Sequence, residues 1–169
     1  MLRVAVTGHR PQYLIGGYDL LHPSNIELKS ELTRTLFELA KEQSTVLALT
    51  GMALGVDTLF AESVLDLKEG DPDKYLLECA IPHRNQDKMW KPKDKDWYNT
   101  ILSFADKKTL VTDSDYKPYL LQKRNEYLVD NCDVLIAVWN GNSKSGTYNA
   151  VRYAKKHNKE IIYINTGLK

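Results

Sequence analysis

The sequence predicts an α/β fold, Rossmann-like and doubly wound, with a mostly parallel sheet and helices on both faces. Apolar runs of strand length alternate with longer segments of helical periodicity along the 169 residues. This alternation implies parallel strands joined by right-handed helical crossovers. No repeat, linker or low-complexity segment interrupts the pattern, so residues 1–169 are predicted to form a single domain.

The first half of the chain is predicted to contribute three strands and two helices. The strands are the apolar runs 2–7, 45–50 and 75–81. Ser24 and Glu27 have the spacing of a capping box, which predicts the start of the first helix. The apolar faces of the two helices are indicated by Leu28, Leu32, Leu36 and Leu39, and by Phe60, Val64 and Leu67.

The second half is predicted to complete the sheet. Helices are expected at about 97–105, from near Pro118 to Cys132, and at 146–157. Strands are expected at 109–111, 133–138 and 160–164. The run 133–138 is almost wholly apolar, which is typical of a parallel strand buried on both faces.

Composition argues against several classes of function. Lys plus Arg (23) nearly balances Asp plus Glu (22), so no large positive field is available to hold DNA or RNA. Cys79 and Cys132 form no metal-binding pattern, and we expect two reduced, buried thiols, no metal and no cofactor. No signal-peptide layout or apolar stretch of about 20 residues occurs, so we expect a cytoplasmic protein without a membrane partner.

The unusual residues follow the predicted strands, at the edge where open parallel sheets bind ligands. Gly-rich turns and helix N-termini at this edge suit a phosphate group, and neighbouring arginines add positive charge. The predicted phosphate- or ligand-binding residues are Gly8, His9, Arg10, Gly51, Gly55, His83, Arg124, Asn125, Gly141, Lys144, Ser145, Gly146, Thr147 and Asn149.

Two common nucleotide-binding motifs are absent. Gly141 and Gly146 have the outer spacing of a P-loop, but Thr147 and Tyr148 stand where Lys and Ser or Thr should follow. No G-x-G-x-x-G occurs, which argues against an ordinary NAD or FAD site. Trp90 and Trp139 are candidates to stack on a base, although tryptophans more often fill a core.

The helix before the fifth strand places Arg124 and Asn125 within its apolar face, at about 100° per residue. An unpaired buried guanidinium is very costly, so Arg124 must have a partner. The partner is either an internal carboxylate, with Asp57 or Asp133 as candidates, or the ligand, and both interpretations are compatible.

Several motifs occur in order along the chain: Thr-Gly-His-Arg-Pro at 7–11, Thr-Gly-Met-Ala-Leu-Gly-Val-Asp at 50–57, Ile81-Pro82 with Gln86 and Trp90, Arg124-Asn125, Cys132-Asp133 through Val138-Trp139, and Ser-Gly-Thr-Tyr-Asn-Ala at 145–150. Together these motifs resemble the YspA/YpsA-like branch of the SLOG superfamily. The similarity extends from about residue 4 to residue 164. It implies a Rossmann-like fold whose relatives include DprA-like DNA-uptake proteins, "lonely guy" phosphoribohydrolases and nucleotide-signal sensors.

The resemblance also indicates what the chain lacks. Arg124 and Gly146-Thr147 match residues of the lonely-guy enzymes, but Asn149 and Ala150 replace the glutamates expected after them. We therefore expect a sensor or sequestering protein that binds a nucleotide or ADP-ribose-like ligand at the carboxyl edge of the sheet. The alternative is an N-glycosidic hydrolase with Asp57 or Asp133 replacing the lost glutamate, and with Asp57 and Arg124 as catalytic candidates.

DprA-like binding of single-stranded DNA is a further alternative that rests on kinship alone, and the balanced charge argues against it. The resemblance also implies a homodimer or a higher homo-oligomer.

Overall fold

The computed structural model describes all 169 residues as six strands and five helices. The strands are β1 (Leu2–Gly8), β2 (Val46–Thr50), β3 (Tyr75–Ile81), β4 (Lys107–Leu110), β5 (Val134–Val138) and β6 (Glu160–Ile164). The helices are α1 (Pro23–Ala40), α2 (Val56–Gly70), α3 (Pro92–Phe104), α4 (Tyr119–Asp130) and α5 (Gly146–Lys156). A short 3-10 turn, Pro11–Tyr13, follows β1.

All strands are parallel, in the order β4-β3-β2-β1-β5-β6. The chain moves outward from β1 to β4 and then returns to place β5 on the other side of β1. Val4 accordingly pairs with Ala48 of β2 and with Val134 of β5. The predicted parallel, doubly wound sheet is confirmed, and its strand order reverses between β1 and β5.

Helices cover both faces of the sheet. The larger core, 23 buried residues, includes Leu28 of α1, Phe60 of α2 and Ile101 of α3. The smaller core, 8 buried residues, includes Leu128 of α4 and Ala154 of α5. Successive strand residues point to opposite faces, and in β1 the larger core contains Val4 and Val6 while the smaller one contains Ala5. The three-layer architecture is therefore as predicted.

The predicted capping box of Ser24 and Glu27 is wrong, because α1 begins at Pro23. Its N-cap is His22, whose Nδ1 accepts the backbone N–H of Ser24 at 3.1 Å. Proline suits the first helical position because its missing N–H would have no partner there. The His22 imidazole thus makes the capping hydrogen bond that the sequence pattern assigned to the Ser24 hydroxyl.

Two other boundaries differ from the prediction. Strand β4 begins at Lys107 and ends at Leu110 rather than spanning 109–111. It is an edge strand with mostly exposed side chains, so its apolar residues mark only part of it. Helix α3 begins at Pro92, well before the predicted start at residue 97. The sequence pattern missed its first turn because the residues there are polar and mostly exposed.

Both cysteines are buried and free, as expected. Burial raises the pKa of the Cys79 thiol to about 12 and that of Cys132 to about 11, which keeps both protonated at neutral pH. None of the five helices combines the length and the apolar character that crossing a bilayer requires. No group of three or more His, Cys, Asp or Glu side chains is arranged to hold a metal ion.

The last residues lie against the loop between β1 and α1. Leu168 forms an antiparallel bridge with Leu14, and the backbone N–H of Ile15 donates to the Gly167 carbonyl at 2.9 Å. The N–H of Lys169 donates to the Tyr13 carbonyl at 3.0 Å. These bonds fix the loop that follows β1, at the edge of the sheet where the candidate site lies.

Candidate functional site

A cleft of about 380 Å³, here called the first cleft, opens where β1 and β5 end. The strand order reverses at this point, which is where open α/β sheets bind ligands. Its walls come from the end of β1, the start of α2, the inner face of α4 and the start of α5. The lining residues central to the site are His9, Arg10, Asp57, Arg124, Lys144 and Thr147.

Helix α5 brings free backbone donors to the first cleft. Ser145 is its N-cap: its Oγ accepts the Tyr148 N–H at 3.1 Å and donates to the Asn142 carbonyl at 2.9 Å. The N–H groups of Gly146 and Thr147 have no acceptor within the chain. Such orphan donors carry the positive end of the helix dipole, so this wall of the cleft favours an anion.

Arg124 is buried in the wall between α4 and β2, as its place on the helix predicted. Its Nη1 donates to the Gly51 carbonyl at 2.6 Å, and its Nε donates to Oδ1 of Asn125 at 3.2 Å. Nη2 donates no hydrogen bond to the protein. A Cβ at residue 51 would overlap the guanidinium, so glycine at this position leaves room for Arg124 where it lies.

Asp57 is the internal partner of Arg124. Its Oδ2 lies 3.9 Å from Nη1, and both side chains are less than a tenth exposed. Oδ2 also accepts the Ala53 N–H at 3.2 Å. Burial raises the pKa of Asp57 above its ordinary value despite the opposing effect of Arg124, and burial lowers the pKa of Arg124. The site thus contains a carboxyl group that ionises less readily than an exposed aspartate.

Asp133, the other predicted partner, is a wrong candidate. It precedes β5 and therefore lies at the amino edge of the sheet, opposite the first cleft. Its Oδ2 accepts the Arg3 N–H at 2.8 Å. This position also removes Asp133 as a replacement for the missing catalytic glutamate.

His9 joins three segments around the first cleft. Its Nε2 accepts the backbone N–H of Asn140 at 3.3 Å, and its carbonyl accepts the N–H of Val56 at 3.2 Å. Since a backbone amide can only donate, Nε2 is the unprotonated ring nitrogen. Burial lowers the pKa of His9. Gly55, with φ of 98°, permits the close approach of α2 to the His9 carbonyl.

A second cleft of about 720 Å³ adjoins the first. Gln86 lies in its wall and donates from Nε2 to the Met52 carbonyl at 2.7 Å and to the Gly51 carbonyl at 3.4 Å. Its Oε1 is buried and has no donor. Tyr116 and Trp90 add aromatic surface to this cleft.

The structure brings most predicted site residues together. Those that line the first cleft are Gly8, His9, Arg10, Asp57, Arg124, Asn125, Lys144, Ser145, Gly146 and Thr147. Gly51 and Gly55 lie directly behind its walls. His83 and Trp90 lie in the second cleft, where the His83 ring meets Tyr116 edge-on with centroids 5.3 Å apart.

Besides Gly51 and Gly55, three predicted residues line neither cleft: Trp139, Gly141 and Asn149. Trp139 instead supports the loop before α5, since its Nε1 donates to the Asn142 carbonyl at 3.0 Å. Asn149 is exposed on α5, one turn after the N-cap. Of the two predicted stacking tryptophans, only Trp90 borders a cleft. Its indole packs edge-on against Tyr98, with centroids 5.1 Å apart.

Sequence reasoning did not place Gln12, Tyr13 or Asn142 in the first cleft, nor Gln86 and Tyr116 in the second. These residues lie in loops, where no periodicity shows which side chains face inward. Gln86 did carry a signal, since it belongs to one of the motifs on which the resemblance rests.

The strand order and the cleft at its reversal point define a Rossmann-like α/β domain. The model of the YspA SLOG family matches residues 4–167, so the chain belongs to this family. The family assignment made from the motifs is confirmed.

Two proteins from Bacillus species are similar to this chain over most of its length. An uncharacterized SPbeta prophage-derived protein, YoqJ, of Bacillus subtilis (strain 168) is 35% identical over 147 residues, covering 80% of this chain and 84% of the relative. A UPF0398 protein of Bacillus cereus (strain B4264) is 29% identical over 154 residues, covering 90% and 82%.

Among solved structures, DNA processing protein A from Helicobacter pylori, described for its single-stranded DNA binding mode, is similar with a TM-score of 0.63. The likeness covers 98% of this chain and 68% of that chain at 21% identity. At this identity it shows the common fold.

Proposed function

We propose that the first cleft binds the phosphate of a nucleotide or of a nucleotide-derived, ADP-ribose-like ligand, and that the protein acts as a sensor or sequestering protein. The observation that carries this proposal is the pair of unpaired N–H groups of Gly146 and Thr147 beside the Arg124 guanidinium. Backbone donors at a helix N-terminus and a nearby arginine are a recurrent arrangement for phosphate.

The charges of the first cleft support an anionic ligand. Arg10, Arg124 and Lys144 line it, whereas Asp57 is its one acidic lining residue. Arg10 and Lys144 have no carboxylate within ion-pair distance. The first cleft therefore has a local excess of positive charge near the backbone donors, although the charge of the whole chain is balanced.

A thermal-shift screen tests the proposal, with AMP, cyclic nucleotides, NAD, ADP-ribose and cyclic ADP-ribose isomers as ligands. A ligand at about 100 times its Kd adds about 2.7 kcal/mol of stability, which raises the Tm by several degrees in a domain of this size. The mixtures are then analysed by mass spectrometry. An intact ligand supports a binder, and a released base supports a hydrolase.

A matched pair of variants locates the binding site. Lys144→Ala should weaken binding of any phosphate ligand found in the screen, because it removes a cation from the first cleft. Lys156→Ala removes an equal charge at the far end of α5 and should leave the affinity unchanged. Equal effects of the two substitutions would contradict phosphate binding in the first cleft.

N-glycosidic hydrolysis is the second candidate, and Asp57 is the observation that favours it. A carboxyl group whose pKa is raised by burial is suited to general acid-base work at a glycosidic bond. If Asp57 acts in this way, Asp57→Asn should abolish turnover while the ligand still shifts the Tm. Retained turnover in the folded variant would remove Asp57 from the catalytic role.

Single-stranded DNA is the third candidate, because the similar structure from Helicobacter pylori is of a DNA-binding protein. This likeness weighs against our expectation that nucleic acid is not a partner. Fluorescence anisotropy with a labelled oligonucleotide at two salt concentrations tests it. Salt-sensitive binding at micromolar protein would support DNA binding, since released counterions make such affinities fall with salt. A homo-oligomer and a cytoplasmic location stay predictions.

A further inference from the structure

We propose that the second cleft receives the base of the ligand and that Gln86 selects a base carrying an exocyclic amino group. This inference rests on the proposed function, in which the first cleft holds the phosphate. It assigns a specificity-determining role to a residue in the loop between β3 and α3.

The two clefts adjoin each other. They share five lining residues: Arg10, Gln12, Ala53, Leu121 and Arg124. Their volumes, about 380 Å³ and 720 Å³, both fall within the usual range of about 300–1,000 Å³ for small-molecule sites. A ligand whose phosphate lies at the start of α5 therefore extends past Arg124 into the second cleft.

The walls of the second cleft suit a planar base. Trp90, Tyr116 and Tyr18 supply aromatic surface, and Met89 and Leu121 add apolar surface. Tyr116 and Met89 are largely exposed, at 59% and 88%, so their apolar surfaces face water. A bound base would cover apolar surface that is otherwise wet, and stacking on an aromatic ring contributes about 1–3 kcal/mol per base in nucleic-acid complexes.

Gln86 supplies the selectivity. Its Nε2 donates to the Met52 and Gly51 carbonyls, and these two bonds fix which end of the amide is oxygen. Oε1 is left buried without a donor, which is costly for a polar atom. Gln86 lines the second cleft, and a turn of its side chain that brings Oε1 to the cleft would let an amino group such as N6 of adenine or N4 of cytosine donate to it and relieve this cost. The carbonyl oxygen at the same place in hypoxanthine or uracil is an acceptor and would be repelled.

Isothermal titration calorimetry of the intact chain with matched ligands tests the inference. The pairs are AMP against IMP and CMP against UMP, which exchange an amino group for a carbonyl, and ribose 5-phosphate serves as the ligand without a base. We expect ribose 5-phosphate to bind, AMP to bind more tightly, and the amino member of at least one pair to bind about tenfold more tightly than its carbonyl partner.

A variant pair locates the preference. In whichever pair shows the preference, Gln86→Met should reduce the ratio of the amino and carbonyl ligands' affinities to near one. Gln122→Met makes the same exchange on α4, outside both clefts, and should keep the ratio of the unmodified protein. The comparison of ligands on the unmodified chain stands on its own if Gln86→Met does not fold.

Two results would overturn the inference in distinguishable ways. If ribose 5-phosphate and the nucleotides bind but AMP equals IMP and CMP equals UMP, the role of Gln86 is wrong and phosphate binding in the first cleft stands. If neither ribose 5-phosphate nor any nucleotide binds, the proposed function fails, and the role of Gln86 fails with it.

Discussion

Arg124 and Asp57 form an ion pair across the first cleft wall, with Nη1 and Oδ2 3.9 Å apart and both side chains buried. Removing one member of a buried pair leaves an uncompensated charge, which typically costs about 3–5 kcal/mol. We expect Arg124→Met to lower the free energy of unfolding by this amount. The double variant Asp57→Asn/Arg124→Met should lose less than the sum of the single changes, as measured by urea denaturation. Additivity within about 0.5 kcal/mol would contradict the coupling.

The pair also predicts a pH dependence. Because burial raises the pKa of Asp57 in the folded protein above its ordinary value of 3.8, ionisation of Asp57 disfavours folding. Its contribution to stability is full below the unfolded pKa and is lost as the pH rises through the folded pKa. Urea denaturation over a pH series should therefore show a decline in the unmodified protein that Asp57→Asn lacks.

Asp73→Asn is the matched control for this series, because Asp73 is exposed and forms no side-chain bond. It should keep the pH dependence of the unmodified protein. A series in which Asp57→Asn and the unmodified chain decline in parallel would show that Asp57 ionises as freely as an exposed carboxyl.

Burial of His9 predicts a pH dependence of stability opposite in sign to that of Asp57. Burial lowers its pKa below 6.5, so the folded protein takes up this proton less readily than the unfolded chain. The contribution of neutral His9 to stability is present above pH 6.5 and is lost as the pH falls through the folded pKa. His9→Gln should remove this loss, whereas His157→Gln, at the exposed end of α5, should retain it. An NMR titration of the His9 ring with a pKa at or above 6.5 would contradict the prediction.

Gly51 predicts a steric effect. Gly51→Ala places a Cβ on the Arg124 guanidinium, and overpacking of this kind costs about 1–3 kcal/mol. Gly70→Ala is the control, since a Cβ there meets nothing within 4 Å. We expect a lower Tm for Gly51→Ala and little change for Gly70→Ala. An unchanged Tm for Gly51→Ala would mean that Arg124 moves aside freely.

The buried strands could be predicted from the sequence because continuous apolar runs leave few alternatives. The run 133–138 became β5, and Arg124 could be placed in a helix wall because a charge within an apolar stripe is conspicuous. The edge strand β4 was displaced in the prediction, since its Lys107 and Lys108 resemble loop residues. The cap of α1 was missed because an imidazole from His22 is a rare substitute for a hydroxyl.

The site was less predictable for a physical reason. Motif residues that follow strands must lie at the carboxyl edge, and Gly146 and Thr147 therefore line the first cleft. Which of two carboxylates pairs with Arg124 depends on the edge each one occupies, and Asp133 precedes its strand. Loops lack the hydrophobic periodicity of helices and strands, so the orientation of a loop residue such as Gln86 is known only from the folded structure.

One carbonyl oxygen links Arg124, which lines both clefts, to Gln86, which lines the second. The Gly51 carbonyl accepts from Nη1 of Arg124 at 2.6 Å and from Nε2 of Gln86 at 3.4 Å. A fragment that draws Gln86 toward itself weakens one of these bonds and frees the oxygen to bond Arg124 more strongly. The binding of one small molecule in each cleft should consequently be coupled, so that the free energy of binding both differs from the sum of the two separate values.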